Sequence, residues 1–169
     1  MDRPVVTNVS IYKAIAKEAY AQVLEASQKN RTPKPDGSGY ILRYDPDRTS
    51  FKSSLITVVF TGMWIEALTH LLIVRDHGEE KYREYDRKSY EEKFRLFGIE
   101  DEELLSLVAK FRATRKELVH EKAHFDIGTI KTAQKEAEVA HEIMRKIELF
   151  LANQALKTDA AKRRSLAQR

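Results

Sequence analysis

Residues 53–74 read SSLITVVFTGMWIEALTHLLIV and are the most apolar stretch of the chain. Their uncharged part ends before Glu66, after 13 residues. A membrane-spanning helix needs roughly 18 such residues. The stretch therefore predicts a buried central helix of a soluble domain, with no membrane partner.

Helical periodicity is clear in three further segments, where apolar or small residues recur at steps of three and four. The three stripes are Val5, Val9, Tyr12, Ala16, Ala19, Val23 and Ala26; Leu104, Leu107, Phe111, Thr114 and Leu118; and Ile130, Ala133, Ala137, Ala140, Met144, Ile147 and Leu151. Because each stripe must be buried against another helix, the sequence predicts an all-α, near-antiparallel bundle.

Capping and turn residues predict where the first helices begin and end. Thr49 or Ser50 can cap the second helix, which is expected to run to about Arg75 and to stop near Gly78. The third helix is predicted over residues 82–97.

Similar signals bound the remaining helices. Gly98 is expected to end the third helix, and Asp101 to open the fourth, whose acidic first turn suits the helix dipole. Gly128 and Thr129 restart the chain as a fifth helix. The prediction is therefore a bundle of about five helices.

A proline- and glycine-rich segment at residues 31–50 predicts a long loop between the first two helices. Within it, only residues 40–42 favour a short extended piece, and no segment of the chain indicates a convincing strand. A loop of this length could be functional.

Size and charge indicate one domain with a basic tail. With 169 residues and 42% apolar content, the chain suits a single core, predicted over residues 1–156. The net charge of +4 is accounted for by residues 157–169, which carry five basic residues and one aspartate. This tail could contact RNA phosphates, but a solvated helix end is the commoner situation.

The absence of cysteine excludes disulfides, zinc-thiolate sites and thiol nucleophiles. The first residues lack the basic and apolar regions of a secretion signal. We therefore expect a cytoplasmic protein.

Residues 115–120 read RKELVH and carry the most distinctive functional pattern. On an ideal helical wheel with the core direction at zero, Arg115 lies at about 60° and Arg112 at about 120°. Lys116 lies at about 160° and His120 at about 200°. A cationic band thus leads from the edge of the core to the histidine, although such a face is often merely solvated.

Arg115 and His120, separated by four residues late in a charged helix of a small helical bundle, resemble the Arg-x4–6-His motif of the HEPN superfamily. The resemblance covers residues 5–156 in architecture but only this motif in sequence. It implies a metal-independent ribonuclease without a cofactor, of the kind found among toxins and antiviral defence effectors. It also implies a homodimer that brings two motif helices together, and a possible antitoxin or other protein partner.

The resemblance further implies a role for each residue of the motif. His120 would be the acid or base at the ribose 2′-hydroxyl, and Arg115 would stabilise the phosphate. Arg112, Lys116 and Lys122 would bind the RNA backbone. Many toxin members carry Asn and Tyr where this chain has Lys116 and Lys122, so control by modification of that tyrosine is not expected.

The chemistry of the two residue types supports the same function independently. Attack of a 2′-hydroxyl on its neighbouring phosphodiester needs a proton acceptor that titrates near neutrality and a cation beside the nonbridging oxygens. Histidine and arginine supply both without a metal ion. This reaction is possible for RNA and not for DNA.

Two pairs of residues at helical spacing have alternative interpretations. His120 and His124 could begin a metal site, but no third ligand is defined, so no metal is predicted. Glu66 and His70 are interpreted as a buried, hydrogen-bonded pair within the second helix. The alternative is that either of them lines the cleft of His120.

The third helix mixes aromatic and basic residues, which could stack and hold single-stranded RNA. Four acidic residues within it and two more just before it, Glu79 and Glu80, favour a packing helix with an ion-paired exterior instead. For the whole chain, the alternative function is an inactive HEPN-like module that binds RNA, a nucleotide or a partner protein without cleavage.

Overall fold

The computed structural model describes residues 7–29, 31–42, 45, 47–119 and 133–167. Within these ranges lie five helices and two short strands. They are α1 (Val9–Lys29), β1 (Arg31–Pro33), β2 (Tyr40–Leu42), α2 (Thr49–Tyr85), α3 (Tyr90–Leu96), α4 (Glu102–Val119) and α5 (Ala133–Ala167). The prediction of an all-α bundle is confirmed.

The central helix is α2, which packs on each of the other four helices. Its Trp64, Ile65 and Leu68 share one buried core with Phe111 of α4 and Ile143 of α5. By length and composition alone α2 could cross a membrane, but 56% of its most apolar window is buried inside the bundle. Such burial is typical of the core helix of a soluble protein.

The predicted stripes face this core wherever the structure describes them. The buried members are Ala16, Ala19, Val23 and Ala26 in α1, Leu104, Phe111 and Thr114 in α4, and Ala133, Ala137, Ala140, Met144 and Ile147 in α5. Periodicity therefore predicted correctly which face of each helix is buried.

The predicted start of α2 is confirmed, because the helix begins at Thr49, but the predicted capping residue is wrong. Neither Thr49 nor Ser50 caps the helix, because the residue at the N-cap is Arg48 in a left-handed conformation, with φ 52°. The carboxylate of Asp45 instead accepts a hydrogen bond of 3.0 Å from the Ser50 amide. The acceptor comes from the preceding turn, five residues away.

The predicted stop near Gly78 is confirmed, because the helical conformation is interrupted there, with φ 84° and ψ 175°, and the residues up to Tyr85 form a further helical segment beyond this kink. The predicted third helix over residues 82–97 is wrong, because the helical segment that ends at Tyr85 is followed by a break at residues 86–89. A new helix starts only at Tyr90, because Ser89 and Glu92 form a capping box. Gly98 follows the end of α3 with φ 77°, as expected of a helix terminator.

The segment predicted as a loop contains a small antiparallel hairpin. Arg31 pairs with Leu42 and Pro33 with Tyr40. The Lys34 amide donates to the Gly39 carbonyl oxygen across the turn, at 2.9 Å. Strands of three residues are too short to produce a clear alternating pattern. The sequence therefore indicated an extended piece only for β2 and not for β1.

Several predicted features lie outside the described residues. They are the start of the first stripe at Val5, the restart at Gly128 and Thr129, and the residues His120, Lys122 and His124. The predicted basic tail begins within α5, whose helix continues to Ala167.

Candidate functional site

A cleft of about 800 Å³ opens between α2, α3 and α4. The side chains that line it are Glu66, His70, Asp86, Lys88, Tyr90, Lys93, Arg112, Ala113, Arg115, Lys116 and Val119. Five of them are basic and two are acidic, so the lining carries net positive charge. Three of the residues predicted to act on RNA, Arg112, Arg115 and Lys116, lie together here.

Arg115 is anchored at the inner wall of the cleft. Its Nη1 donates hydrogen bonds to Oε1 of Glu66 at 2.8 Å and to the hydroxyl oxygen of Tyr90 at 3.2 Å. The Tyr90 hydroxyl in turn donates to the same Glu66 oxygen at 2.6 Å. With its side chain 23% exposed, Arg115 can still present its guanidinium to a ligand.

The hydrogen bonds and burial in this triad keep Glu66 and Tyr90 in their usual protonation states. Burial raises the pKa of Glu66, but the hydrogen bonds from Tyr90 and Arg115 outweigh it and lower the pKa overall. Burial and the bond to Glu66 raise the pKa of Tyr90. Glu66 is therefore a carboxylate and Tyr90 a neutral phenol at pH 7.

Gly62 explains how Arg115 can lie against α2. A Cβ built at this position would overlap the guanidinium, at 2.6 Å from Cζ. The three atoms nearest to that Cβ all belong to Arg115. The Nε of Arg115 is buried and has no hydrogen-bond partner among the described residues. The missing side chain at Gly62, one helical turn before Glu66, thus leaves the space that the Arg115 side chain occupies.

A second polar cluster lies one turn further along α2. Lys93 Nζ donates to the main-chain oxygen of Asp86 at 3.0 Å and lies 3.4 Å from Nε2 of His70. Burial, followed by the positive charge of Lys93, lowers the pKa of His70. The imidazole is thus neutral at pH 7, and because an ammonium can only donate, its Nε2 is the acceptor.

The outer side of the cleft is formed by exposed cations. Arg112 and Lys116 lie one turn apart on α4, and Lys88 lies opposite them in the segment between α2 and α3. Because α4 exposes Arg112 and Lys116 but half-buries Arg115, the described part of the helical wheel agrees with the structure. Because these three side chains are exposed to solvent, a polyanion can reach their charged groups without a rearrangement of the protein.

The preferred interpretation of Glu66 and His70 is wrong. They are not a buried pair bonded to each other, since Glu66 binds Tyr90 and Arg115 while His70 contacts Lys93. Both line the cleft, and the Glu66 side chain is 44% exposed. They share this cleft with Arg115, and the alternative interpretation, that either of them lines the cleft of His120, depends on a residue outside the described ranges.

The preferred sequence interpretation did not assign Gly62, Tyr90 or Lys93 to the site. Tyr90 and Lys93 lie three residues apart in a segment for which RNA binding was the less favoured interpretation and a packing helix the preferred one. The capping box of Ser89 and Glu92 was a usable signal, because it fixes the start of α3 and therefore places Tyr90 and Lys93 on one face. Gly62 gave no signal, since its neighbour comes from a distant helix.

His120 and Lys122, the other predicted site residues, lie outside the described residues. Val119, which lines the cleft, immediately precedes His120 in the chain. Over the ranges described, no three His, Asp or Glu side chains cluster as metal ligands would. The pair His120 and His124 lies beyond those ranges.

Comparison with known proteins gives no match: no family model, curated protein or solved structure is significantly similar to this chain. The resemblance to the HEPN superfamily rests on the motif of Arg115 and His120 within an all-α bundle. The residues and charges of the cleft are therefore the basis for assigning a function.

Proposed function

We propose that the chain is a cytoplasmic, metal-independent endoribonuclease of HEPN type, acting in a toxin or antiviral defence setting. The single observation that carries the proposal is the anchoring of Arg115 in a cationic cleft. An arginine fixed by Glu66 and Tyr90 is oriented before the substrate arrives, so its remaining N–H groups can meet a phosphate without further ordering.

The proposed reaction uses the ribose of the substrate as nucleophile. His120 follows Val119 at the edge of the cleft and acts as acid or base in the proton transfer at the 2′-hydroxyl. Arg115 stabilises the negative charge that develops on the nonbridging oxygens, and Arg112, Lys116 and Lys122 bind the flanking backbone. The 5′-oxygen leaves, and a 2′,3′-cyclic phosphate is formed.

The proposal is tested by incubating the purified protein with a mixed RNA pool in the presence of a chelator. We expect cleavage products that end in 2′,3′-cyclic phosphate, whereas DNA of the same sequence stays intact because it has no 2′-hydroxyl. Cleavage only after addition of a divalent metal ion would contradict the mechanism, as would cleavage of DNA.

We further propose that the active form is a homodimer that pairs two motif helices, since a two-fold interface is the default closed symmetry. Sedimentation at micromolar concentration should show a dimer. A mixture of His120→Ala and Arg115→Ala proteins should recover part of the activity if each site draws residues from both protomers. A monomer that cleaves RNA at the full rate would rule out a composite site.

A second candidate function is favoured by the ion pair between Arg115 and Glu66. The carboxylate lies 2.8 Å from Nη1 and offsets much of the guanidinium charge, as a structural ion pair would. In that case the bundle binds RNA, a nucleotide or a partner protein without cleaving it. The two candidates differ in the RNA-pool experiment, because the second gives a retained complex and no new product ends.

A further inference from the structure

Lys93 is buried to an extent that is unusual for a lysine. It is 3% exposed, on the face of α3 that meets α2. Its described contacts are the carbonyl oxygen of Asp86 and the imidazole of His70. Both partners are neutral, and within the described part of the chain no carboxylate lies at ion-pairing distance from this ammonium.

A buried ammonium without a counter-ion is costly, because desolvation disfavours the charged form. Burial accordingly lowers the pKa of Lys93, and the more distant carboxylates of Asp86 and Glu66 oppose this only in part. Lys93 lines a cleft in which basic side chains outnumber acidic ones. An anionic ligand in the cleft would complete the pairing that the protein itself does not supply.

The position of Lys93 relative to Arg115 suggests what that ligand is. Arg115 binds Glu66, and Lys93 binds His70, which lies four residues later on α2. Four helical residues correspond to a rise of about 6 Å. The α2 partners of the two cations therefore lie on successive turns of that helix, and this spacing is comparable to that of neighbouring phosphates in a single strand.

We propose that Lys93 binds a second phosphate of single-stranded RNA, next to the phosphate bound by Arg115. The proposal rests on the ribonuclease function and adds a two-phosphate subsite to it. Lys93 is a substrate-binding residue in this arrangement, and His70 is the residue that positions its ammonium.

Binding can be measured without cleavage by using 2′-O-methyl RNA, which lacks the nucleophile. The two ligands are a dinucleotide with one phosphate and a trinucleotide with two. Lys93→Met keeps the length of the side chain and removes its charge, and Lys110→Met on the exposed side of α4, away from the cleft, is the matched control. The wild-type protein should prefer the trinucleotide, and Lys93→Met should reduce that preference on the order of tenfold. Lys110→Met should leave it unchanged.

The melting temperature of Lys93→Met distinguishes a role of Lys93 in phosphate binding from a structural role. Replacing a buried, unpaired ammonium with an isosteric apolar side chain is expected to leave the melting temperature unchanged or raised. If Lys93→Met keeps the wild-type preference for the trinucleotide, the proposal is overturned. A lowered melting temperature in that same variant would then show that Lys93 has a structural role. If the wild-type protein shows the two-phosphate preference but cleaves no unmodified RNA, the subsite stands and the ribonuclease function fails. If the wild-type protein cleaves RNA but shows no such preference, the subsite alone fails.

Discussion

Replacing His120 with alanine is expected to abolish RNA cleavage while leaving the fold and the proposed dimer intact. Loss of a proton-transfer group typically lowers a rate by about 10²-fold to 10⁴-fold. The helical wheel directs His120 away from the stripe of α4 that is buried at Phe111 and Thr114, so its removal should leave no cavity. Stability and activity should therefore separate in this variant.

The measurement is the single-turnover cleavage rate of a defined RNA, together with the melting temperature of the same protein preparation. Lys110→Ala, a change at an exposed position of α4, is the control and should keep both properties. Cleavage that persists in His120→Ala would remove the histidine from the mechanism. A large fall in melting temperature would show that the residue has a structural role instead.

The fold was predictable to the extent that it depends on repeating patterns. Stripes such as that of Ala16, Ala19 and Val23 identify a buried face because burial repeats with every helical turn. The cap of α2 and the start of α3 were not predicted, because a single contact decides each of them. Asp45 from the preceding turn accepts the bond from the Ser50 amide in the first turn of α2, and α3 begins at Tyr90 because Ser89 and Glu92 form a capping box.

The candidate site was predictable only for α4. Spacing places Arg112, Arg115 and Lys116 on one side of a single helix, and the structure finds them in one cleft. The partners of Arg115 come from α2 and α3, at separations of 49 and 25 residues. No local pattern encodes contacts of that kind, which is why the triad with Glu66 and Tyr90 emerges only from the folded chain.

Replacing Arg115 with alanine is expected to lower the cleavage rate on the order of 10²-fold to 10³-fold, as loss of one preorganised donor to a developing negative charge does in other enzymes. Arg115→Lys should recover only part of this, because an ammonium cannot bond Glu66 and a phosphate with a planar fork. Both variants should stay folded, since Glu66 is 44% exposed and can be rehydrated. Equal rates for wild type and Arg115→Ala would contradict the proposed role and favour the non-cleaving module.

Gly62→Ala tests the same placement from the opposite helix. Alanine normally stabilises a helix interior by about 1 kcal/mol relative to glycine, but here the new Cβ would overlap the guanidinium of Arg115. We therefore expect Gly62→Ala alone to lower the cleavage rate, because Arg115 must leave its position. In the Arg115→Ala background the overlap is gone, so the same change should raise the free energy of unfolding by up to about 1 kcal/mol and leave the residual rate unaltered. Additive effects on the rate would mean that Gly62 and Arg115 act independently, and the close approach of the arginine to α2 would then have no part in catalysis.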